Sequence, residues 1–371
     1  MAFRQAIAAQ KNAPMKMRRI VIILTGILVG FALVVGVGLF APATQFPLSF
    51  RNADPIPVIF DTDTNNELDD QHALAYLLFN RDIFDVRGIT TNATFNGGDI
   101  VRHDEEAVRV MKLCGATDTV PLYSGANGDF AEIRPLGDAA EDGREAIDFI
   151  IREARTERDE KLVLLAVGKL TNVALAFDRA PDIVEKVRLV WLGSNYPEPG
   201  EYNLDNDIPA LDYLLESRIP FEMVTVRYGG GPTGAEAVKV QQEDILENVK
   251  GRGIRIETPV TGRHGGEFDN FGDYSASLFA NAEYYGDPPS RSLFDVVAVA
   301  VVKNPDWGEY RLIPAPRYEP SGWVDRPENE FQIGLWENFD RDAILQDFYQ
   351  SMARPATSAK TRSRGILDFR L

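Results

Sequence analysis

The stretch Val58-Ile59-Phe60-Asp61-Thr62-Asp63-Thr64-Asn65-Asn66-Glu67-Leu68-Asp69-Asp70-Gln71-His72-Ala73-Leu74 decides how this chain is read. A short β-branched and aromatic run passes into a polar loop and then into a segment of helical character. That is a strand–loop–helix unit, and five of the ten residues from 61 to 70 are acidic. Capping a helix N-terminus needs one or two acids, each contributing about 0.3–1 kcal/mol. Five acids crowded at a strand end repel one another unless a cation is held between them. Oxygen donors without Cys or His suit a hard ion, Ca²⁺ or Mg²⁺. The plainer alternative is a solvated acidic loop.

Working outward, the same unit recurs. Apolar runs at Val58–Phe60, Val86–Thr91, Leu162–Val167, Val187–Leu192 and Phe221–Val226 alternate with amphipathic stretches at Asp69–Asn80, Asp104–Leu113, Ala140–Arg155, Thr171–Arg179 and Pro209–Ser217. This alternation predicts an α/β fold, a mainly parallel sheet with helices on both faces. Ligands in such folds bind beyond the carboxyl ends of the strands, where the acidic loop lies. Residues 228–288 break the rhythm and read as an irregular insertion lying over that site. Helices resume at Ser292–Lys303 and Asp340–Met352, and a polar, basic tail over 353–371 reads as mobile. The main domain is thus expected over 55–352.

Composition narrows the chemistry. The 371 residues are 44% apolar, ample for one large α/β core. The formal net charge is −17, and the first 19 residues hold five basic side chains and no acid, so the rest carries −22. A body that acidic repels phosphate backbones, which argues against nucleic acid as a partner. One cysteine, Cys114, excludes intrachain disulfides and Cys-based zinc clusters, and three histidines (His72, His103, His264) leave little for a multi-His metal site. At the N-terminus, a basic segment (1–19) precedes an uncharged apolar run of 22 residues (20–41), with a linker over 42–54. The run predicts a transmembrane anchor, with the catalytic domain on the periplasmic or extracellular side; the alternative is a cleaved signal segment and a secreted protein.

Two known patterns fit the acidic loop. Asp61-Thr62-Asp63 after an apolar strand resembles the haloacid-dehalogenase-type phosphatases, which would make Asp61 a nucleophile. That pattern asks for Thr or Val where Asn65 stands and leaves Asp69-Asp70 without a role. The chain more fully resembles the nucleoside hydrolases of the inosine–uridine-preferring type, whose first strand ends in Asp-x-Asp-Pro-Gly-x-Asp-Asp. The likeness continues in Gly88-Ile89-Thr90-Thr91 followed by Asn96, in Val120-Pro121-Leu122-Tyr123-Ser124-Gly125-Ala126, and in Gly168-Lys169-Leu170-Thr171-Asn172-Val173-Ala174-Leu175-Ala176. It extends through Glu201-Tyr202-Asn203 to Leu293-Phe294-Asp295-Val296-Val297. Each motif is short, but they occur in family order over roughly residues 56–350.

The resemblance implies a Rossmann-like core and hydrolysis of the N-glycosidic bond of a nucleoside-like small molecule, through an oxocarbenium-like transition state. It implies a Ca²⁺ held by Asp63, Asp70, Asp295 and the backbone carbonyl of Val167, with Asp69 as general base. Asn96, Glu201 and Asn203 would bind the ribose, and homo-oligomers are common in the family. Three carboxylates with a carbonyl, a water and two sugar hydroxyls reach the 6–8 oxygens that Ca²⁺ prefers. The chain departs from the pattern twice. Thr64-Asn65-Asn66-Glu67-Leu68 replaces Pro-Gly-x, so Glu67 is a candidate to take over one loop role. Phe294 stands where many members carry a His that protonates the leaving base. Phe294 is then a base-stacking or core residue, and His264, in Arg263-His264-Gly265-Gly266-Glu267, is the candidate replacement acid. Without such an acid the alternative is a scaffold that binds a ribosyl ligand and does not turn it over.

Overall fold

Along the first strand, Val58 and Phe60 face one hydrophobic cluster and Ile59 faces another. A strand buried on both faces belongs in the middle of a helix-covered sheet. The computed structural model describes residues 54–66, 68–227 and 233–354. Its strands are β1 (Ile56–Thr62), β2 (Phe84–Thr91), β3 (Leu122–Tyr123), β4 (Leu162–Ala166), β5 (Val187–Ser194), β6 (Phe221–Thr225) and β7 (Lys239–Val240), then β8 (Val260–Thr261), β9 (Glu267–Phe268), β10 (Arg291–Ser292), β11 (Glu309–Pro314), β12 (Arg317–Glu319), β13 (Gly322–Val324) and β14 (Gln332–Glu337). Eight of them form one sheet in the order β11-β14-β6-β5-β4-β1-β2-β3. Every neighbouring pair is parallel except β11–β14.

The helices are α1 (Leu68–Phe79), α2 (Ile100–Leu113), α3 (Phe130–Ile133), α4 (Arg144–Arg155), α5 (Thr171–Arg179), α6 (Tyr202–Asn206), α7 (Ile208–Glu216), α8 (Gln242–Asn248), α9 (Phe271–Ala280), α10 (Phe294–Lys303) and α11 (Arg341–Ala353). Helices α1, α2, α9, α10 and α11 cover one face of the sheet, and α4, α5 and α7 cover the other. Helix α1 is buried along its whole length, and α10 from Asp295 onward. The valines of α10 lower its intrinsic helix propensity slightly, by a few tenths of a kcal/mol each. Burying a Val side chain is worth about 1.5–3 kcal/mol, so tertiary packing decides the helix. Because α1 and α10 lie side by side with their N-termini at the same end of the sheet, the acidic residues of their first turns meet.

Several expectations are corrected here. The stretch expected to be helical from Ala140 starts at Arg144, because Gly143 takes a left-handed conformation (φ 73°) immediately before it. The insertion is not irregular throughout. It carries α8, the β8–β9 ribbon and α9, whose Phe271, Tyr274, Leu278 and Phe279 belong to the main core. The expected tail begins where α11 ends at Ala353, and from residue 355 it lies outside the described residues. The transmembrane segment expected over 20–41 also lies outside them. Among the described residues no helix is long and apolar enough to cross a membrane. The assignment to a membrane-anchored protein with its catalytic domain outside the cytoplasm is therefore withdrawn.

Candidate active site

The strands β1, β4 and β5 end together, and the loops after them line a cavity of about 560 Å³. Its floor is formed by Asp63 from the loop after β1, Asp69 and Asp70 from the first turn of α1, Val167 after β4, and Asp295 from the first turn of α10. Carboxylate oxygens of Asp69, Asp70 and Asp295 lie within 4.8 Å of one another, although 225 residues separate Asp70 from Asp295. All four aspartates are buried. Asp70 accepts a hydrogen bond from Thr62 Oγ1 (2.5 Å) and Asp63 one from Thr94 Oγ1 (2.5 Å). No lysine or arginine among the described residues forms an ion pair with any of the four.

Buried carboxylates without a counter-charge resist ionisation. Burial pushes Asp69 up to about 7, with the charge of Asp63 adding to the shift. Asp70 and Asp295 stand well above the ordinary carboxylate range, first through burial and then through mutual repulsion. Burial also raises Asp63, and it raises Glu201 to about 8. These donors are all hard oxygens, compactly placed and without an ion-pair partner among the described residues, which is the donor set a divalent cation of the Ca²⁺ or Mg²⁺ type requires.

A stability prediction follows from the sign of these shifts. Glu201 binds its proton more tightly in the folded protein, so its contribution is present below the ordinary value of 4.5 and lost as pH rises through about 8. The raised aspartates act in the same direction. Thermal unfolding in excess chelator should therefore show Tm falling by at least ~5 °C between pH 5 and pH 8. A rising Tm over that window would contradict the assigned shifts.

The other predicted site residues distribute unevenly. Asn96, Glu201, Asn203 and Phe294 all line the cavity. Glu201 caps α6, its carboxylate accepting from Leu204 N (3.0 Å). Asn203 Nδ2 donates to the carbonyls of Val167 (2.8 Å) and Leu192 (3.0 Å), which ties α6 to the ends of β4 and β5. Asn96 donates its backbone N–H to Tyr202 Oη (2.9 Å). Asp69, expected as the general base, lies in the tight carboxylate group. Glu67 lies outside the described residues.

His264 does not reach the cavity. It is exposed on the turn between β8 and β9. The other two histidines are also committed elsewhere. His72 is in the core, its Nε2 bonded to Ser275 Oγ (2.7 Å) and its ring edge-on to Phe279 at 5.2 Å. His103 is fully buried, and its Nδ1 accepts from Asn65 N (3.2 Å) behind the acidic loop. Asp61 is likewise spoken for. Its carboxylate accepts from Thr90 Oγ1 (2.6 Å), Asn92 Nδ2 (2.7 Å) and Asn172 Nδ2 (2.7 Å), and it does not line the cavity. A nucleophile must face substrate, so the phosphatase reading falls.

Sequence reasoning did not pick out the opposite wall, made by Glu236, Lys239, Tyr285, Gly286, Ser290, Arg291 and Ser292. These come from the two ends of the inserted segment, joined where β7 pairs with β10. For Tyr285 to Ser292 the only signal was position, close before Phe294 and Asp295 in the chain; Glu236 and Lys239 carried none. Tyr202 and Asn66 were also missed.

The sequence profile described as "Inosine-uridine preferring nucleoside hydrolase" matches residues 58–340. The chain belongs to that family. Among curated relatives, a non-specific ribonucleoside hydrolase, RihC, from Klebsiella pneumoniae is 30% identical over 192 residues, 45% of this chain and 60% of that protein. An uncharacterised protein of Schizosaccharomyces pombe is 26% identical over 191 residues, with the same coverage of 45% and 60%. The aligned part thus spans about 60% of the length of these relatives. A plant nucleoside hydrolase, PpNRh1, superposes with a TM-score of 0.64 at 18% identity, covering 81% of this chain and 100% of that one. A purine-preferring ribonucleoside hydrolase from Gardnerella vaginalis gives 0.58 at 19% identity, with 80% and 98% covered. The family's parallel sheet and helical layers are those described above.

Proposed function

We propose that this nucleoside hydrolase family member cleaves the N-glycosidic bond of a ribonucleoside or related N-riboside, releasing base and sugar. The observation that carries the reading is the buried carboxylate cluster at the strand ends, which joins Asp69 and Asp70 to Asp295. A divalent cation, Ca²⁺ by the family likeness, would be held by Asp63, Asp70, Asp295 and the carbonyl of Val167, and would acidify a bound water while anchoring sugar hydroxyls. Asp69, beside the proposed ligands, takes the proton of the attacking water. The negative floor stabilises positive charge developing at C1′ as the bond to the base lengthens. Asn96, Glu201 and Asn203 orient the sugar through hydrogen bonds.

The test is a panel of ribonucleosides incubated with the full chain and followed by chromatography for free base. Base release is expected with at least one of them, abolished by chelator and restored by Ca²⁺. Binding by calorimetry with no release at long incubation would favour a ribosyl-binding protein on the same scaffold. Undiminished release from rigorously cation-free protein would remove the metal from the reading.

A further inference from the structure

Cleavage of the glycosidic bond leaves the bonding electron pair on the base nitrogen. Departure is slow unless that nitrogen is protonated or its charge is stabilised. None of the three histidines lines the cavity, as described above, so help for the leaving group must come from another residue type. If the sugar rests on the acidic floor, the base lies against the rest of the cavity lining, to which Tyr285 and Arg291 both belong. Arg291 sits on β10, three residues before Phe294, and is 8% exposed. Its guanidinium carbon lies 5.4 Å from the centroid of the Tyr285 ring. Two backbone hydrogen bonds between Tyr285 and Ser290 (3.0 and 2.9 Å) close the short hairpin that holds ring and guanidinium together. Ser292 Oγ donates to the carbonyl of Glu236 (3.0 Å) and Leu293 N to that of Val238 (3.0 Å), fixing the strand.

We infer that Arg291 is the leaving-group residue of this enzyme, stabilising the base as it departs with negative charge spread onto a ring carbonyl. This rests on the proposed glycosidase reading. A guanidinium does not surrender a proton at neutral pH. The balance is therefore that C1′–N breaks with both electrons going to the base, water oxygen bonds to C1′, its proton goes to Asp69, and the base anion takes a proton from solvent after release. Stabilisation by fixed charge works only where charge can delocalise onto an acceptor that the guanidinium can meet. The buried, ring-backed cation is held in place before the base departs, so it acts with little reorganisation.

The experiment compares uridine with p-nitrophenyl β-D-riboside, whose phenolate leaves without assistance, on wild type, Arg291→Met and Arg291→Lys. Arg291→Met should lower kcat/KM for uridine by roughly 10²-fold while changing p-nitrophenyl riboside by no more than about threefold. Arg291→Lys, which keeps charge but not the planar fork, should recover part of the uridine rate. Parallel losses on the two substrates, or no loss on uridine, would overturn the inference and leave the glycosidase reading standing. Failure of the wild type on both substrates would overturn the two together.

Discussion

Asp70→Asn is expected to lower kcat/KM by ~10³-fold or more while raising the Tm of the chelated protein at pH 8. The two effects have one origin. Asp70 is buried against Asp69 and Asp295, and in the cation-free protein each negative charge there raises the energy of the others. Asparagine removes one charge yet keeps an oxygen for the hydrogen bond from Thr62. The fold relaxes and the cation loses a ligand. Differential scanning fluorimetry with and without Ca²⁺ separates the parts, because added cation should stabilise wild type markedly and the variant little. A variant that loses stability in chelator and still responds to Ca²⁺ would show that the cluster is not where the cation binds. On the proposed reading, the same repulsion that costs stability in the empty cluster is what would attract a cation.

Much of this was legible in the sequence, for physical reasons that differ by element. The central strands β1, β4 and β5 are near-continuous apolar runs because helices cover both faces, and such runs stand out. The acidic loop stood out because its crowding has no structural use. Asp295 was found only through the family likeness, since its placement depends on α1 and α10 packing side by side. Where burial is imposed from outside, local signals failed. Helix α9, Phe271-Gly272-Asp273-Tyr274-Ser275-Ala276-Ser277-Leu278-Phe279-Ala280, contains weak helix formers, and it is helical because Phe271, Tyr274, Leu278 and Phe279 are buried against the core. The edge strand β11 exposes Glu309, Tyr310, Arg311 and Leu312, so it lacks the alternation that marks a half-buried strand. His103 sits amid charged neighbours in sequence, yet the first turn of α2 turns it inward beneath the acidic loop.

Asp61→Ala should be the most damaging single substitution for the fold, costing about 3–5 kcal/mol, read as a shift in urea midpoint or as failure to accumulate folded protein. Asp61 is 2% exposed and receives hydrogen bonds from three side chains on two segments: Thr90 at the end of β2 with Asn92 just beyond it, and Asn172 in the first turn of α5. Alanine leaves three buried donors without an acceptor, and Asn172 also holds Thr91 O (2.7 Å) and Ala126 N (2.8 Å). No space exists for the group to rearrange. A Cβ added at Gly125 would lie 1.8 Å from Thr91 O and 2.4 Å from Asn172 Nδ2, so the hub is packed to contact on that side. Asp61→Asn retains one acceptor oxygen but aims an amide N–H₂ at donors, and should fall between wild type and alanine in stability. Its base release, scaled to the folded fraction, should change far less than that of Asp70→Asn. A well-folded but inactive Asp61→Asn variant would return Asp61 to the chemistry. The expected pattern, unstable but active when folded, instead makes it the buried anchor that sets Asp63 and the acidic loop at the end of β1.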